Sequence, residues 1–265
     1  MEEKKEKIMR FGIASKGFVY CLIGGLTLLA AIGRGGSKSG SSDALKSLAG
    51  STGGMILLGI TALGLISYVF WRFYQTFKDP EEKGTGAKGI ARRIGYFGSG
   101  VLYGFLAYTA LSILIGSGGG NGSGSGNGQE TLIAKTLNQS FGQILVAVIA
   151  TIFLAKAFYQ MFRAYSGKYQ KKVKEQNLSP KVKETVLTFG KLGYTARGIV
   201  VGVIAFLTYR AAFTASSDQA GGTKDAFNFV QNEFGSVILA IISIGLLMYG
   251  IFILVKARHR EMSMI

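Results

Sequence analysis

The sequence holds one cysteine, Cys21, one histidine, His259, and two prolines in 265 residues. A single thiol excludes an internal disulfide and any metal centre built from several cysteines. Cys21 lies inside an apolar run, which suits a small packing residue better than a reactive thiol. His259 sits in a basic tail, a position suited to anionic-lipid contact or plain solvation rather than to catalysis. No carboxylate pair, metal-ligand cluster or serine elbow appears, so the expectation is a chain with no enzymatic activity, no cofactor and no metal. Acidic residues are also scarce, 14 against 30 Lys and Arg, for a formal net charge of +16.

That charge sits beside an apolar composition, with 48% hydrophobic residues and 17% charged ones. The charges gather in four short segments separated by long apolar stretches, the pattern of a polytopic membrane protein. No aromatic-interleaved basic face or RNA-binding motif supports a nucleic-acid partner. The N-terminal MEEKKEKIMR carries both signs, and the following apolar run shows no small-residue cleavage site, so no cleavable signal peptide is expected.

Six apolar windows stand out, at 11–32, 54–77, 94–116, 142–165, 189–213 and 234–257. Each approaches the ~20 residues that cross a hydrocarbon core of ~30 Å. Helix is the form expected, since strands would need closure into a barrel and would alternate polar with apolar residues. Lys and Arg concentrate in the N-terminal segment, in 79–91 with Arg92 and Arg93, in 167–188, and in the KARHR tail. The other three connections are poor in them, which predicts cytoplasmic termini. Those three connections look alike: a linker (GRGGSKSGSS, GSGGGNGSGSGNG, TASSDQAGG) precedes a part-apolar stretch (DALKSLAG, ETLIAKTL, KDAFNFVQN). The stretches read as short outer helices with Asp43 and Asp225 as N-caps or first-turn acids. The glycine-rich run lacks the Lys-Ser/Thr ending of a phosphate loop and reads as linker.

The odd-numbered spans repeat one motif. Gly12 and Gly17 match Gly95 and Gly100, then Gly193 and Gly198; the residue before the second glycine is Lys16, Ser99 and Arg197 in turn. Tyr20 matches Tyr103, with Val201 in the third copy, and Tyr68 matches Tyr249. Gly53 aligns with Gly142 and Gly235, while the middle copy's FLAKAFYQMFRAY fits WRFYQTF in two registers about one helical turn apart. The unit is helix, linker, short outer helix, helix, three times over: repeats at 10–78, 92–166 and 189–258. Parallel repeats of this kind predict an all-α membrane protein, a pseudo-threefold bundle of six transmembrane helices.

The thrice-repeated G-x(4)-G motif, the Gly-rich outward loop with its DAL-type helix, and the GL-x-x-Y helix resemble a bacterial membrane family. It is catalogued as domain of unknown function 1206. The resemblance covers roughly residues 10 to 258 and implies three two-helix repeats in a bacterial inner (plasma) membrane. It implies no activity, substrate or catalytic residue. Ser99 and Lys156 depart from the pattern in the middle copy.

Small-residue ladders (Gly17, Cys21, Gly25; Gly100, Gly104; Gly198, Gly202) point to tight helix packing, and Gly12, Gly95 and Gly193 join them as packing candidates. Lys16 and Arg197 stand about five residues inside their windows, where snorkelling to head groups is the favoured reading. The alternative turns them inward, with Ser99 completing a cationic ring for phosphate head groups or small anions. Lys156 lies deeper, near ~12 Å at 1.5 Å per residue, and its window contains no acid to pair with it. It is open between a structural polar contact and a lipid or anion contact. Arg72 and Arg210 read as snorkelling anchors, and Trp71, Tyr74 and Phe77 as an interfacial aromatic belt. The partners expected are the bilayer and anionic phospholipid head groups, with self-association left open. Structural or lipid-interacting membrane protein is the first functional reading. A channel or transporter for a small, anionic solute is the second.

Overall fold

An apolar segment that must satisfy every backbone N–H and C=O without water has one local solution, and this chain adopts it repeatedly. The computed structural model describes residues 2–80, 84, 86–116, 136–137, 141–166, 180–214 and 221–258; among them there is helix and turn but no strand. The elements are α1 (Glu2–Ala31), α2 (Ser41–Lys46), a 3-10 turn (Ser47–Gly50), α3 (Thr52–Lys78), α4 (Ala87–Leu114), α5 (Gly142–Tyr165), α6 (Pro180–Thr214) and α7 (Thr223–Arg258). Six of them, α1 and α3 to α7, are long and apolar enough to cross a membrane. The glycine run beyond Gly116, most of ETLIAKTL, the lysine linker through Ser179, and His259 lie outside the described residues.

The helices overrun the apolar windows at their ends. α1 starts at Glu2, α6 at Pro180 and α7 at Thr223, so Glu6, Glu184, Asp225 and Glu233 join spans at their margins rather than their centres. Glu6 pairs there with Arg10 one turn on. Hydroxyls deeper in the spans are satisfied locally: Thr61, Thr208 and Ser243 donate to the carbonyls of Leu57, Ile204 and Leu239, each at 2.7 Å. On α3 the inward face is Leu58, Ala62, Leu65, Tyr68, Trp71 and Gln75. Its outward face is no more polar: Ile56, Ile60, Leu63 and Phe70 are all exposed. A helix apolar on both faces needs an apolar solvent. The chain is a multi-pass, all-α membrane protein.

Two compact units form. The first is Met1–Val19, Leu45–Asn121 and Ile253–Ile265; the second is Tyr20–Ala44 and Gly122–Phe252. Their limits do not follow the repeats, because α4 falls in the first and α5 in the second.

Glycines set the helix seams inside each unit. In the first, a Cβ on Gly12 would meet the backbone nitrogen of Tyr68 at 2.6 Å, and one on Gly64 would collide with Ser15. In the second, Gly193 faces the Cα of Tyr249 at 2.6 Å, Gly24 the nitrogen of Leu247 at 2.6 Å, and Gly245 meets Ala196. Gly100 lies under Phe73 at 3.3 Å, Gly198 under Met161 at 3.2 Å, Gly202 beside Ala157 at 3.8 Å, and Gly17 is buried. Three expectations need correction. A Cβ on Gly25, Gly95 or Gly104 would meet nothing within 4 Å, so none of them serves as a packing glycine among the described residues. Gly95 is exposed on α4, the same spacing notwithstanding, because the helix turns that face away from its neighbours.

The outer turns also refine the repeat register. Ser51 caps α3 by accepting from the Gly54 amide at 3.1 Å, and Gly54 sits against the Leu48 carbonyl. Gly142 sits in the same way against the Thr136 carbonyl, so Gly54 rather than Gly53 is its counterpart. In the third copy the outer helix and the span run together as α7, broken only at Gly235 with φ 82° and ψ 171°. The expected outer acids are first-turn residues of α2 and α7, and Asp225 accepts from the Gly222 amide at 2.9 Å.

Gly12→Ala and Gly193→Ala should each destabilise the folded protein by about 1–3 kcal/mol, because the obstructing atoms are backbone. Gly104→Ala should be neutral or stabilising by up to about 1 kcal/mol through helix propensity. Unfolding in detergent micelles distinguishes these outcomes.

Candidate functional site

Where two helices touch backbone to backbone, a long side chain on one can reach the far end of an aromatic ring on the other. Gly12 brings α1 against α3, and Lys16, one turn further along α1, places its ammonium 3.3 Å from the Tyr68 phenol oxygen. Tyr68 is 1% exposed and Lys16 only 9%. The ammonium also lies 5.3 Å from the Tyr68 ring centre and 5.2 Å from that of Tyr103 on α4. The two rings meet edge to face, 4.7 Å apart at 68°. A second cation joins the same oxygen: Arg72 donates to it through Nε at 2.8 Å and through Nη2, and its Nη1 donates to Gln75 at 2.8 Å. Its guanidinium sits 4.8 Å from the Tyr68 ring centre and 5.2 Å from that of Tyr96.

The second unit repeats the construction. Gly193 seats α6 on α7, and Arg197 donates to the Tyr249 phenol oxygen at 2.8 Å. The sequence separation is 52 residues in both clusters. The Arg197 guanidinium lies 5.0 Å from the Tyr249 ring and 5.2 Å from that of Tyr20 on α1. Tyr20 and Tyr249 meet edge to face, 4.9 Å apart at 84°. Tyr194, also buried, stacks edge-on to Tyr249, and Arg163 from α5 lies 4.8 Å over the Tyr194 ring. Cations within ~6 Å of ring faces gain from the ring quadrupole. Each cluster thus holds a cation from one odd span, the tyrosine of its own repeat's second span and a tyrosine from the next odd span.

The favoured reading of Lys16 and Arg197 as snorkelling side chains is therefore corrected: both turn into helix seams, where a phenol and two rings meet them. Arg72 is corrected likewise, and Trp71 is buried at 3% exposure instead of lying in an interfacial belt. Arg210 is exposed, as is Phe77, and Tyr74 is half-buried. Lys16 and Arg197 belong to separate clusters, one in each unit. Ser99 is half-buried on α4, one turn ahead of Tyr103. Lys156 is half-buried on α5, one turn ahead of the buried Gln160. The residues that sequence reasoning undervalued are the tyrosines. Their signal was the pairing of Tyr20 with Tyr103 and of Tyr68 with Tyr249 across the repeats. Among the described residues no group of His, Cys, Asp and Glu could hold a metal ion.

At the basic end of the first unit, Arg93 at the start of α4 donates to the carbonyls of Thr76 and Phe77, at 2.7 and 3.1 Å. Those are orphan acceptors of the α3 C-terminus, where a cation also meets the negative end of the helix dipole. Asp79, in the left-handed region at φ 43°, ends the helix and accepts from the Gly84 amide at 2.9 Å. Arg93 is therefore a helix stop as well as a basic linker residue.

The family described as Domain of Unknown Function (DUF1206) matches the chain three times, at residues 11–79, 94–167 and 192–260. The chain is also 31% identical to "Uncharacterized protein YxxB" of Bacillus subtilis (strain 168) over 266 residues, covering 99% of this chain and 94% of that protein. No solved structure matches it.

Removing the Tyr249 hydroxyl takes one acceptor away from a guanidinium held in the seam. Tyr249→Phe should cost about 1.5–3 kcal/mol, the usual range for a hydrogen bond to a charged group. In an Arg197→Met background the same change should cost at most about 0.5 kcal/mol. A double-mutant cycle on unfolding in micelles checks the coupling; additive costs would mean the contact carries no stability.

Proposed function

We propose, for a chain that belongs to the DUF1206 family, a binding function without catalysis. The protein holds anionic phospholipid head groups at the basic side of the membrane through the Lys16–Arg72–Tyr68 and Arg197–Tyr249 clusters. The observation that carries this reading is the convergence of two cations, Lys16 and Arg72, on one buried phenol oxygen. The groups that meet them there include a phenol, an amide and ring faces. Charge drawn into an apolar seam is costly until an opposite charge approaches. A phosphate supplies both the charge and the acceptor oxygens, and a phenol can donate its own proton to one of them.

Depth favours a head group over a mid-membrane ligand. Lys16 and Arg197 each stand five residues beyond the start of a family match, about 8 Å along a helix. Both spans begin on the side where Lys and Arg concentrate, which supports cytoplasmic termini and the anionic inner face of a bacterial plasma membrane. The Bacillus relative is consistent with a bacterial setting.

Full-length protein released from mixed phosphatidylglycerol and phosphatidylcholine bilayers should retain phosphatidylglycerol in native mass spectrometry. Retention should fall about tenfold in Lys16→Gln/Arg197→Gln, a loss of about 1.4 kcal/mol, and phosphatidylcholine should not change. Equal retention by the variant would overturn the reading.

A further inference from the structure

A basic residue stands immediately before each family match: Arg10, Arg93 and Lys191. The three side chains are used differently. Arg10 pairs with Glu6 one turn back, and Arg93 donates to the Thr76 and Phe77 carbonyls at the end of α3. Lys191 is exposed and meets a ring instead: its ammonium lies 5.1 Å from the ring centre of Tyr165 on α5. Tyr165 and Phe77 are counterparts, each two back from a match end. The packing supports that register, since Met161 and Phe73, each six back, lie over Gly198 and Gly100 at 3.2 and 3.3 Å. The same basic position thus closes a helix end in the α3–α4 pair and stays at the surface in the α5–α6 pair.

A second cation stands at the same edge. Arg163, in the last turn of α5, lies 4.8 Å over the ring of Tyr194, three residues after Lys191 on α6. The two helices exchange cations: α5 lays Arg163 on an α6 tyrosine, and α6 lays Lys191 on an α5 tyrosine. Among the described residues these ring faces are the contacts of both charged groups. A ring face attracts a cation through its quadrupole, yet it leaves the N–H donors free to bond an acceptor. Both groups stand where the spans leave the apolar region, Arg163 four residues inside one match and Lys191 one residue outside the next. Toward the membrane interior the outward stripe of α5 is aromatic. Phe158, Phe162 and Tyr165, at spacings that share one helix face, are 66%, 56% and 64% exposed.

We infer that the basic end of the α5–α6 pair is a docking surface for an anionic phospholipid, with its phosphate on Lys191 and Arg163 and an acyl chain along Phe158 and Phe162. Phosphate oxygens accept from the ammonium and the guanidinium, bonds stronger than neutral ones. The aromatic stripe decides for a lipid over a free anion, because inorganic phosphate has nothing to lay along it. A zwitterionic head group brings its own cation to the same place and is disfavoured beside two others. The surface shares its ligand class with the proposed function, but it depends on neither the Lys16–Tyr68 nor the Arg197–Tyr249 contact.

The experiment is native mass spectrometry of the full-length protein released from mixed phosphatidylglycerol and phosphatidylcholine nanodiscs. Lys191→Gln, a change at an exposed side chain, should retain about fivefold less phosphatidylglycerol, the effect of one basic residue at an anionic surface. Lys191→Arg should retain as much as the unaltered protein, and phosphatidylcholine should not change in either variant. Arg163→Gln should lose as much as Lys191→Gln; if freeing Tyr194 unfolds that variant, Lys191→Gln decides alone. Lys224→Gln, which removes an exposed cation at the opposite end of the spans, should leave retention unchanged. Retention by Lys191→Gln equal to the unaltered protein's would overturn the surface. An equal fall in Lys224→Gln would overturn it too, since any exposed charge would then serve. A loss in Lys191→Gln with none in Lys16→Gln/Arg197→Gln would support the surface while removing the tyrosine clusters as head-group holders. The reverse pattern would overturn the surface and leave the clusters standing.

Discussion

The contact on which the rest depends is the seating of a glycine on a tyrosine backbone. Gly12 lies against the Tyr68 amide and Gly193 against the Tyr249 Cα, each closer than a Cβ would permit. Only at that separation does a side chain one turn along the helix end at the phenol oxygen of its partner. In lipid there is no hydrophobic drive between helices, so close van der Waals contact and interhelical hydrogen bonds carry the association. Glycine and cation therefore act as one device: the first sets the distance and the second uses it.

The device settles a conflict between solvation and position. Lysine and arginine near the end of a span can usually reach head groups, and that freedom costs little. Here both cations turn to phenols and ring faces in the seam. A phenol and two ring faces recover part of the lost solvation through a charge-assisted hydrogen bond and the ring quadrupoles. At Tyr68 two cations share one oxygen.

Much of the fold was legible along the chain. The six windows, the three repeats and the scarcity of acids all follow from local composition, and the matched tyrosines were visible as spacing. Other features were misread for a common reason. Arg72 and Trp71 looked interfacial because they sit near a helix end, yet α4 packs over that end and makes it interior: Arg72 lies against Tyr96. Gly95 shares the motif of Gly12 and Gly193 but faces open space, since equal spacing does not give equal neighbours. The middle repeat's register could not be chosen from residue types alone; the stacking of Met161 on Gly198, parallel to Phe73 on Gly100, chose it.

Sequence by itself determined that this chain is helical, membrane-spanning and built three times from one unit. Those properties depend on hydropathy and periodicity, which accumulate residue by residue. Tertiary structure decided which way Lys16, Arg72 and Arg197 point, which glycines are contacts, and that Gln160 is buried with neither end of its amide hydrogen-bonded among the described residues. A helix offers every side chain a direction but not a neighbour. The neighbour comes from helices distant in sequence, and only their approach distinguishes a charge that reaches for water from one that turns to a tyrosine.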